Sequence, residues 1–136
     1  MRIMGLDVGE KRIGIALSDP MGWTAQGHSV LQRKNAAYDF GELLKICREF
    51  AVDKIVVGYP INMNGTIGPK ALEIQKFAEL LRDKSKLPVD LWDERLSTRS
   101  AERTLLEADV SRKKRKLVID KVAAVNILQA YLNSLG

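Results

Sequence analysis

The chain has a single cysteine and a single histidine. One thiol, Cys47, can form neither an internal disulfide nor a cysteine-built zinc centre, which fits a reducing compartment. It lies in Leu44-Lys45-Ile46-Cys47-Arg48-Glu49-Phe50 and reads as a small buried hydrophobe. One imidazole, His28, leaves no histidine-rich metal site and no Ser-His-Asp triad centred elsewhere; it reads as a surface residue of a strand. No apolar run approaches the roughly 20 residues that cross a bilayer. The N-terminus opens into Met1-Arg2-Ile3-Met4-Gly5-Leu6 without a basic leader, apolar stretch and cleavage site, so the expected location is the cytoplasm. Repeats, low-complexity tracts and linkers are also missing. Residues 1–136 are therefore expected to form one domain, with 46% hydrophobic residues to build one core and no room for a two-domain ligand clamp.

Acids are in the minority, with 17 aspartates and glutamates against 22 lysines and arginines, a formal net charge of +5. The excess is local. Arg112-Lys113-Lys114-Arg115-Lys116 is a basic run with no acid in it, a composition suited to a polyanion such as nucleic acid. A solvated loop is the plainer reading of such a run.

Short apolar runs around Gly9-Glu10-Lys11 predict a hairpin of strands 2–8 and 12–18, and 25–31 forms a third antiparallel strand after the break Asp19-Pro20-Met21-Gly22. Phe40, Leu43, Leu44 and Cys47 recur at helical spacing and predict an amphipathic helix over 36–50. Lys54-Ile55-Val56-Val57-Gly58 reads as a strand covered on both faces. Residues 59–69 hold two prolines, two asparagines and two glycines, and predict an irregular loop at that strand's C-terminal edge, where α/β sheets place ligands. A second helix is predicted over 70–84 with Leu72, Phe77, Leu80 and Leu81 inward, followed by a strand over 89–92. Ser97 or Thr98 caps a third helix running through Leu105 and Leu106, and the last helix sets Val118, Val122, Val125, Leu128, Leu132 and Leu135 on one stripe. The order β-β-β-α-β-α-β-α-α is that of a mixed five-stranded sheet, three antiparallel strands then two parallel, flanked by helices. This is the ribonuclease H-like pattern.

Three carboxylates stand in contexts that core packing does not explain. Asp7 ends a buried strand between Gly5 and Gly9, Glu94 follows the last strand in Asp93-Glu94-Arg95, and Asp120 lies near the start of the final helix ahead of Ala123 and Ala124. Each has a plainer reading alone: a turn cap for Asp7, an engagement with Arg95 and a helix N-terminus for Glu94, a helix-dipole acid for Asp120. Alternation along a strand sends Asp93 and Glu94 to opposite faces, so one of them is the ligand candidate: Glu94, with Asp93 in reserve. Buried carboxylates are costly unless paired or bound to a cation. If the three meet at one sheet edge they form an oxygen-rich site for Mg²⁺ or Mn²⁺, which keep waters and share carboxylates with substrate phosphates. Two such ions roughly 3.5–4 Å apart are suited to phosphodiester hydrolysis. Lys11, Arg12, Asn62, Asn64, Arg95 and the run Arg112, Lys113, Lys114, Arg115 and Lys116 are the candidate nucleic-acid contacts, with turn chemistry as the alternative for the asparagines. Trp23, Tyr59 and Trp92 read as packing residues before base-stacking ones.

Leu6-Asp7-Val8-Gly9, Gly58-Tyr59-Pro60 with Asn64-Gly65, Asp93-Glu94-Arg95-Leu96-Ser97-Thr98 and Asp120-Lys121-Val122-Ala123-Ala124 together resemble the YqgF family over almost the whole chain. The resemblance implies a ribonuclease H-like nuclease that processes the 5′ end of pre-16S ribosomal RNA or resolves Holliday junctions. It puts Asp7, Glu94 and Asp120 on the family's catalytic acids. A non-catalytic RNA-binding ribosome-assembly factor is the competing reading, and monomer and homodimer both remain open, a resolvase needing two symmetric sites. Asp7-x-Gly9 followed by Gly14 also resembles the phosphate loop of two-domain sugar kinases and actin-like ATPases.

Overall fold

The computed structural model describes residues 1–96 and 112–135, with side chains in the last segment from residue 119 onward. Five strands and three helices follow in order: β1 (Ile3–Val8), β2 (Arg12–Ser18), β3 (Ala25–Gln32), α1 (Ala36–Glu49), β4 (Lys54–Tyr59), α2 (Pro69–Ser85), β5 (Val89–Asp93), a single 3-10 turn (Glu94–Leu96), and α3 (Arg112–Leu135). The strands form one sheet in the order β3-β2-β1-β4-β5, with β1, β2 and β3 antiparallel and β4 and β5 parallel to β1. This is the ribonuclease H-like fold. The predicted helix beginning at Ser97 or Thr98 lies outside the described residues.

Alternation along the strands divides the core into two layers. Met4, Leu6 and Val8 of β1, with Ile13, Ile15, Leu17, Ile55 and Val57, meet Phe40, Leu43, Ile74, Phe77 and Leu81 of α1 and α2. On the opposite face, Ile3, Ala16 and Val56 meet Ala124, Ile127, Leu128, Tyr131 and Leu132 of α3. Glycines are interspersed on that second face. A Cβ at Gly5 would stand 2.7 Å from Leu128 Cβ, and one at Gly14 would stand 2.1 Å from the Asp120 carbonyl oxygen. At these two positions helix α3 therefore rests on sheet backbone with no side chain between.

The helix faces differ from the sequence reading in three places. In α2, Leu72 and Leu80 are exposed, and Ala71, Ile74, Phe77, Ala78 and Leu81 are buried. Residues 71, 74, 77, 78 and 81 fall on one arc at 3.6 residues per turn, and Leu72 and Leu80 lie off it. In α3 the buried stripe is Ala124, Ile127, Leu128, Tyr131 and Leu132; Leu135 is exposed and Val122 and Val125 are only half-buried, while the Val118 side chain lies outside the described residues. Ala124, Ile127, Leu128, Tyr131 and Leu132 fall on one arc at helical spacing, and Val122 and Val125 lie beside it. Helix α3 also starts earlier than expected, at Arg112, so Asp120 lies two turns inside it and its role is not that of an N-terminal dipole acid.

Cys47 is buried, and burial pushes its thiol up to about 11. His28 is half-buried on β3, edge-on to Phe50 at 5.1 Å. At the end of the sheet remote from Asp7, Lys54 Nζ stands 2.7 Å from Asp90, and the Tyr131 hydroxyl donates to the same carboxylate at 2.9 Å, pinning α3 to β4 and β5.

The close approach yields a paired test. Gly14→Ala forces a methyl group against an immobile backbone carbonyl and is expected to cost about 3 kcal/mol in urea denaturation. Gly41→Ala, in an exposed turn of α1 with nothing within 4 Å of the new Cβ, is expected to stabilise by about 0.5–1 kcal/mol. A second expectation concerns pH. The Lys54 ammonium holds the Asp90 carboxyl below its ordinary 3.8, so the pair contributes stability above that value and loses it as pH falls through the depressed one. Lys54→Met should thus be less stable than wild type at neutrality, with the gap closing as pH falls below 3.8; a gap that stays constant shows that the pair contributes nothing.

Candidate active site

Asp7 belongs to the α3 face, because Ile3 packs against α3 and the missing Cβ of Gly5 is aimed at it, and residues two apart on a strand share a face. Its two lateral neighbours are glycines. Asp7 pairs with Gly14 of β2, and Gly58 stands on β4 one step beyond the pair Leu6 and Val57. Over Gly14 passes the backbone of Asp120, and over Gly58 lies the Glu94 carboxylate, whose Oε1 is 2.5 Å from where a Cβ would be. With neighbouring strands about 4.8 Å apart, Asp120 and Glu94 approach Asp7 from opposite sides, each roughly one strand away. Asp7, Glu94 and Asp120 are all half-buried.

The acids lie among arginines. Arg12 Nε donates to Asp120 Oδ2 at 2.5 Å, an ion pair half-screened from water. Arg95 grips Asp93 through Nε and Nη2, the latter at 2.7 Å, and its backbone N–H donates to Asp93 Oδ1 at 2.9 Å. These hydrogen bonds hold the Asp93 carboxyl below the usual carboxylate range and push the Arg95 guanidinium up. Asp93 and Glu94 are thereby separated: one is tied to Arg95, the other lies over Gly58. Among the described residues, no three acidic, histidine or cysteine side chains are gathered closely enough to hold one ion as they stand.

The predicted contact residues are distributed around this edge. Lys11 is exposed at the tip of the β1–β2 turn, and Arg12 follows it at the start of β2. In the loop after β4, Asn62 Nδ2 donates to Thr66 Oγ1 at 2.9 Å, and Asn64 Oδ1 accepts from the Thr66 hydroxyl at 2.7 Å and its amide at 3.1 Å. Both asparagine side chains thus serve their own turn. Arg95 Nη1 reaches the carbonyls of Asn62 and Met63 at 3.5 Å, joining this loop to the end of β5. The run from Arg112 to Lys116 forms the first turns of α3 leading to Asp120; its side chains lie outside the described residues. Of the aromatics, Tyr59 is buried, Trp92 packs edge-on against Tyr131 at 5.7 Å, and Trp23 is exposed at the far end of the sheet.

Residues 1–134 match the family profile RuvX, described as Holliday junction resolvase. The chain belongs to the RuvX (YqgF) family. A protein of Syntrophomonas wolfei named "Putative pre-16S rRNA nuclease" is 70% identical, over 100% of this chain and 98% of its own length. A protein of the same name from Bacillus licheniformis is 58% identical, over 100% and 99%. Among solved structures, the fowlpox virus resolvase in complex with Holliday junction DNA covers 99% of both chains at a TM-score of 0.61 and 15% identity. Thermus thermophilus RuvC with its junction substrate covers 100% of this chain and 96% of its own at 0.55 and 14%. These two likenesses speak for the fold.

Sequence reasoning missed the role of the two glycines, Gly14 and Gly58, that floor this candidate site. Their signal was present, since Gly14 interrupts the β-branched stretch Ile13-Gly14-Ile15 and a glycine inside a strand marks close backbone approach. Gly58→Ala tests the floor. Its Cβ meets only the flexible ends of Glu94 and Ile127, at 2.5 and 2.6 Å, so the fold should survive and the Glu94 carboxylate should move by about an ångström. A crystal structure of the variant with Glu94 in its original place overturns the assignment.

Proposed function

We propose that this RuvX-family chain is a metal-dependent nuclease that hydrolyses phosphodiester bonds in structured nucleic acid, acting at the 5′ end of pre-16S ribosomal RNA. The observation that carries the reading is Asp7 between two glycines, with Asp120 on one side and Glu94 on the other. The missing Cβ atoms let the Asp120 backbone and the Glu94 carboxylate approach the strands on either side of Asp7, and three carboxylates are the hard oxygen donors that Mg²⁺ or Mn²⁺ prefers. Asp7, Glu94 and Asp120 would hold the ions, with Asp93 in reserve behind Arg95. When bound, such ions supply an activated water and stabilise the leaving oxygen of the phosphodiester.

The protein's own residues do the rest. Lys11, Arg95 and the basic run Arg112 to Lys116 supply positive charge for a sugar-phosphate backbone, which gives affinity without reading sequence. Arg12 neutralises Asp120 until an ion replaces it. The self-satisfied loop of Asn62 and Asn64 gives Arg95 a rigid seat, and its role in substrate binding is to hold that guanidinium in place.

The names of the two relatives at 70% and 58% identity favour precursor ribosomal RNA, and the family's description favours a four-way junction. Both substrates therefore belong in one experiment. Purified wild type is expected to cleave precursor 16S RNA in the presence of Mg²⁺ or Mn²⁺ and to lose cleavage in chelator. Asp7→Asn, Glu94→Gln and Asp120→Asn should each lower the rate by at least about a hundredfold with binding retained. Paired symmetric nicks on the junction by a dimer would instead assign resolution. Cleavage unchanged in all three variants, with RNA still bound, refutes the nuclease reading and leaves a ribosome-assembly binding module.

A further inference from the structure

The largest departure from ordinary burial lies on the other face of the sheet. Asp39, in the first turn of α1, is a charged side chain with 2% exposure. Its carboxylate accepts from Arg33 Nε at 3.0 Å and from the Lys34 amide at 3.0 Å. Arg33 uses its second arm elsewhere: Nη1 donates to the Gly9 carbonyl at 2.7 Å, and its own backbone N–H donates to the Lys11 carbonyl at 2.9 Å. Both acceptors belong to the β1–β2 turn, which closes on itself through Gly9 N–H and the Arg12 carbonyl at 2.8 Å. A Cβ at Gly9 would stand 2.9 Å from that same carbonyl, so the turn has no slack.

This turn carries the site. Asp7 precedes Gly9 by two residues, Arg12 leaves the turn to meet Asp120, and Gly14 faces Asp7 two residues later. We infer that Arg33, locked by the buried Asp39, is a positioning residue that fixes the Gly9–Arg12 turn and through it the places of Asp7 and Arg12. An ion pair serving only to fill the core would need one arm of the guanidinium. Here two arms are used, and the second ends on a backbone carbonyl next to the acids.

The inference rests on the nuclease reading for its catalytic half, while its geometric half stands alone. Arg33→Lys separates the two arms, because a lysine ammonium keeps the charge for Asp39 but has no planar fork to reach Gly9 as well. The variant is expected to keep a near-native melting temperature. Amide hydrogen exchange by NMR at Gly9 and residue 33 should be about tenfold faster as the turn opens locally. In cleavage of precursor 16S RNA, kcat should fall about ten- to a hundredfold with KM within about twofold of wild type, the mark of misplacement rather than lost binding. Exchange at the wild-type rate overturns the proposal, and so does faster exchange with kcat unchanged. Should Arg33→Lys fail to fold, Asp39→Asn gives the same two readouts, keeping an acceptor for the Lys34 amide while removing the charge that locks Arg33. If wild type and Asp7→Asn are equally inactive on every substrate, the nuclease reading fails, and exchange at Gly9 still decides whether Arg33 holds the turn.

Discussion

Helix α3 lies directly on the backbone of the sheet, and the rest of the site follows from that contact. A typical helix stands off a sheet by the length of interleaved side chains. Here Gly5, Gly14 and Gly27 remove those side chains along the path of the helix, and the positions their Cβ atoms would take fall within 2.1 to 2.7 Å of Leu128, Asp120 and Lys121. The approach brings a residue of the last helix level with the end of the first strand, although 113 positions separate Asp7 from Asp120 in the chain. The same device operates at Gly58, where the absent side chain admits Glu94. Dispersion is lost where glycine replaces a larger residue, and the buried stripe from Ala124 to Leu132 restores it by contact with Ile3, Ala16 and Val56.

Gathering acids on one face raises an electrostatic problem, since like charges in a partly desolvated edge repel. Two arginines answer it locally. Arg12 takes Asp120 and Arg95 takes Asp93, the latter in a two-armed geometry that a lysine could not reproduce. Both arginines sit at the rim, one on each side of Asp7, and both come from the segments that supply or face the acids. The edge is therefore a mixed-charge surface, compatible with phosphate approaching from outside and with a cation held inside.

Much of this was legible in the sequence. Every described strand was predicted to within two residues at either end, because short β-branched runs bounded by glycine and proline leave little ambiguity, and the β-β-β-α-β-α-β order fixed the mixed sheet. The motifs around Asp7, Glu94 and Asp120 led to the family. What was illegible was the side of each helix that faces inward. In α2, Leu72 and Leu80 lie off the arc of Ala71, Ile74, Phe77, Ala78 and Leu81, and Leu135 is the last residue of α3; all three are exposed. Periodicity reports that a stripe exists; which of two overlapping stripes faces inward is set by the whole arc that packs against the sheet. Partners were equally hidden: Arg12 reads in sequence as a cation for nucleic acid and stands in the fold against Asp120, and nothing in the sequence singles out Asp39, which is buried.

The two arginine-carboxylate pairs closest to the β1–β2 turn differ in a way that fits two tasks. Asp39 has a side chain 2% exposed against 27% for Arg33, so removing the arginine charge leaves a desolvated carboxylate, at a cost of up to about 3–5 kcal/mol that keeps the pair permanent. Asp120 and Arg12 are 23% and 28% exposed, and pairs with that access to water contribute at most about 1 kcal/mol. Exchange of partners is therefore cheap at Asp120 and prohibitive at Asp39. A turn that must stay fixed is anchored on a carboxylate that water does not reach. A carboxylate that must give up one cation for another is placed where water does reach.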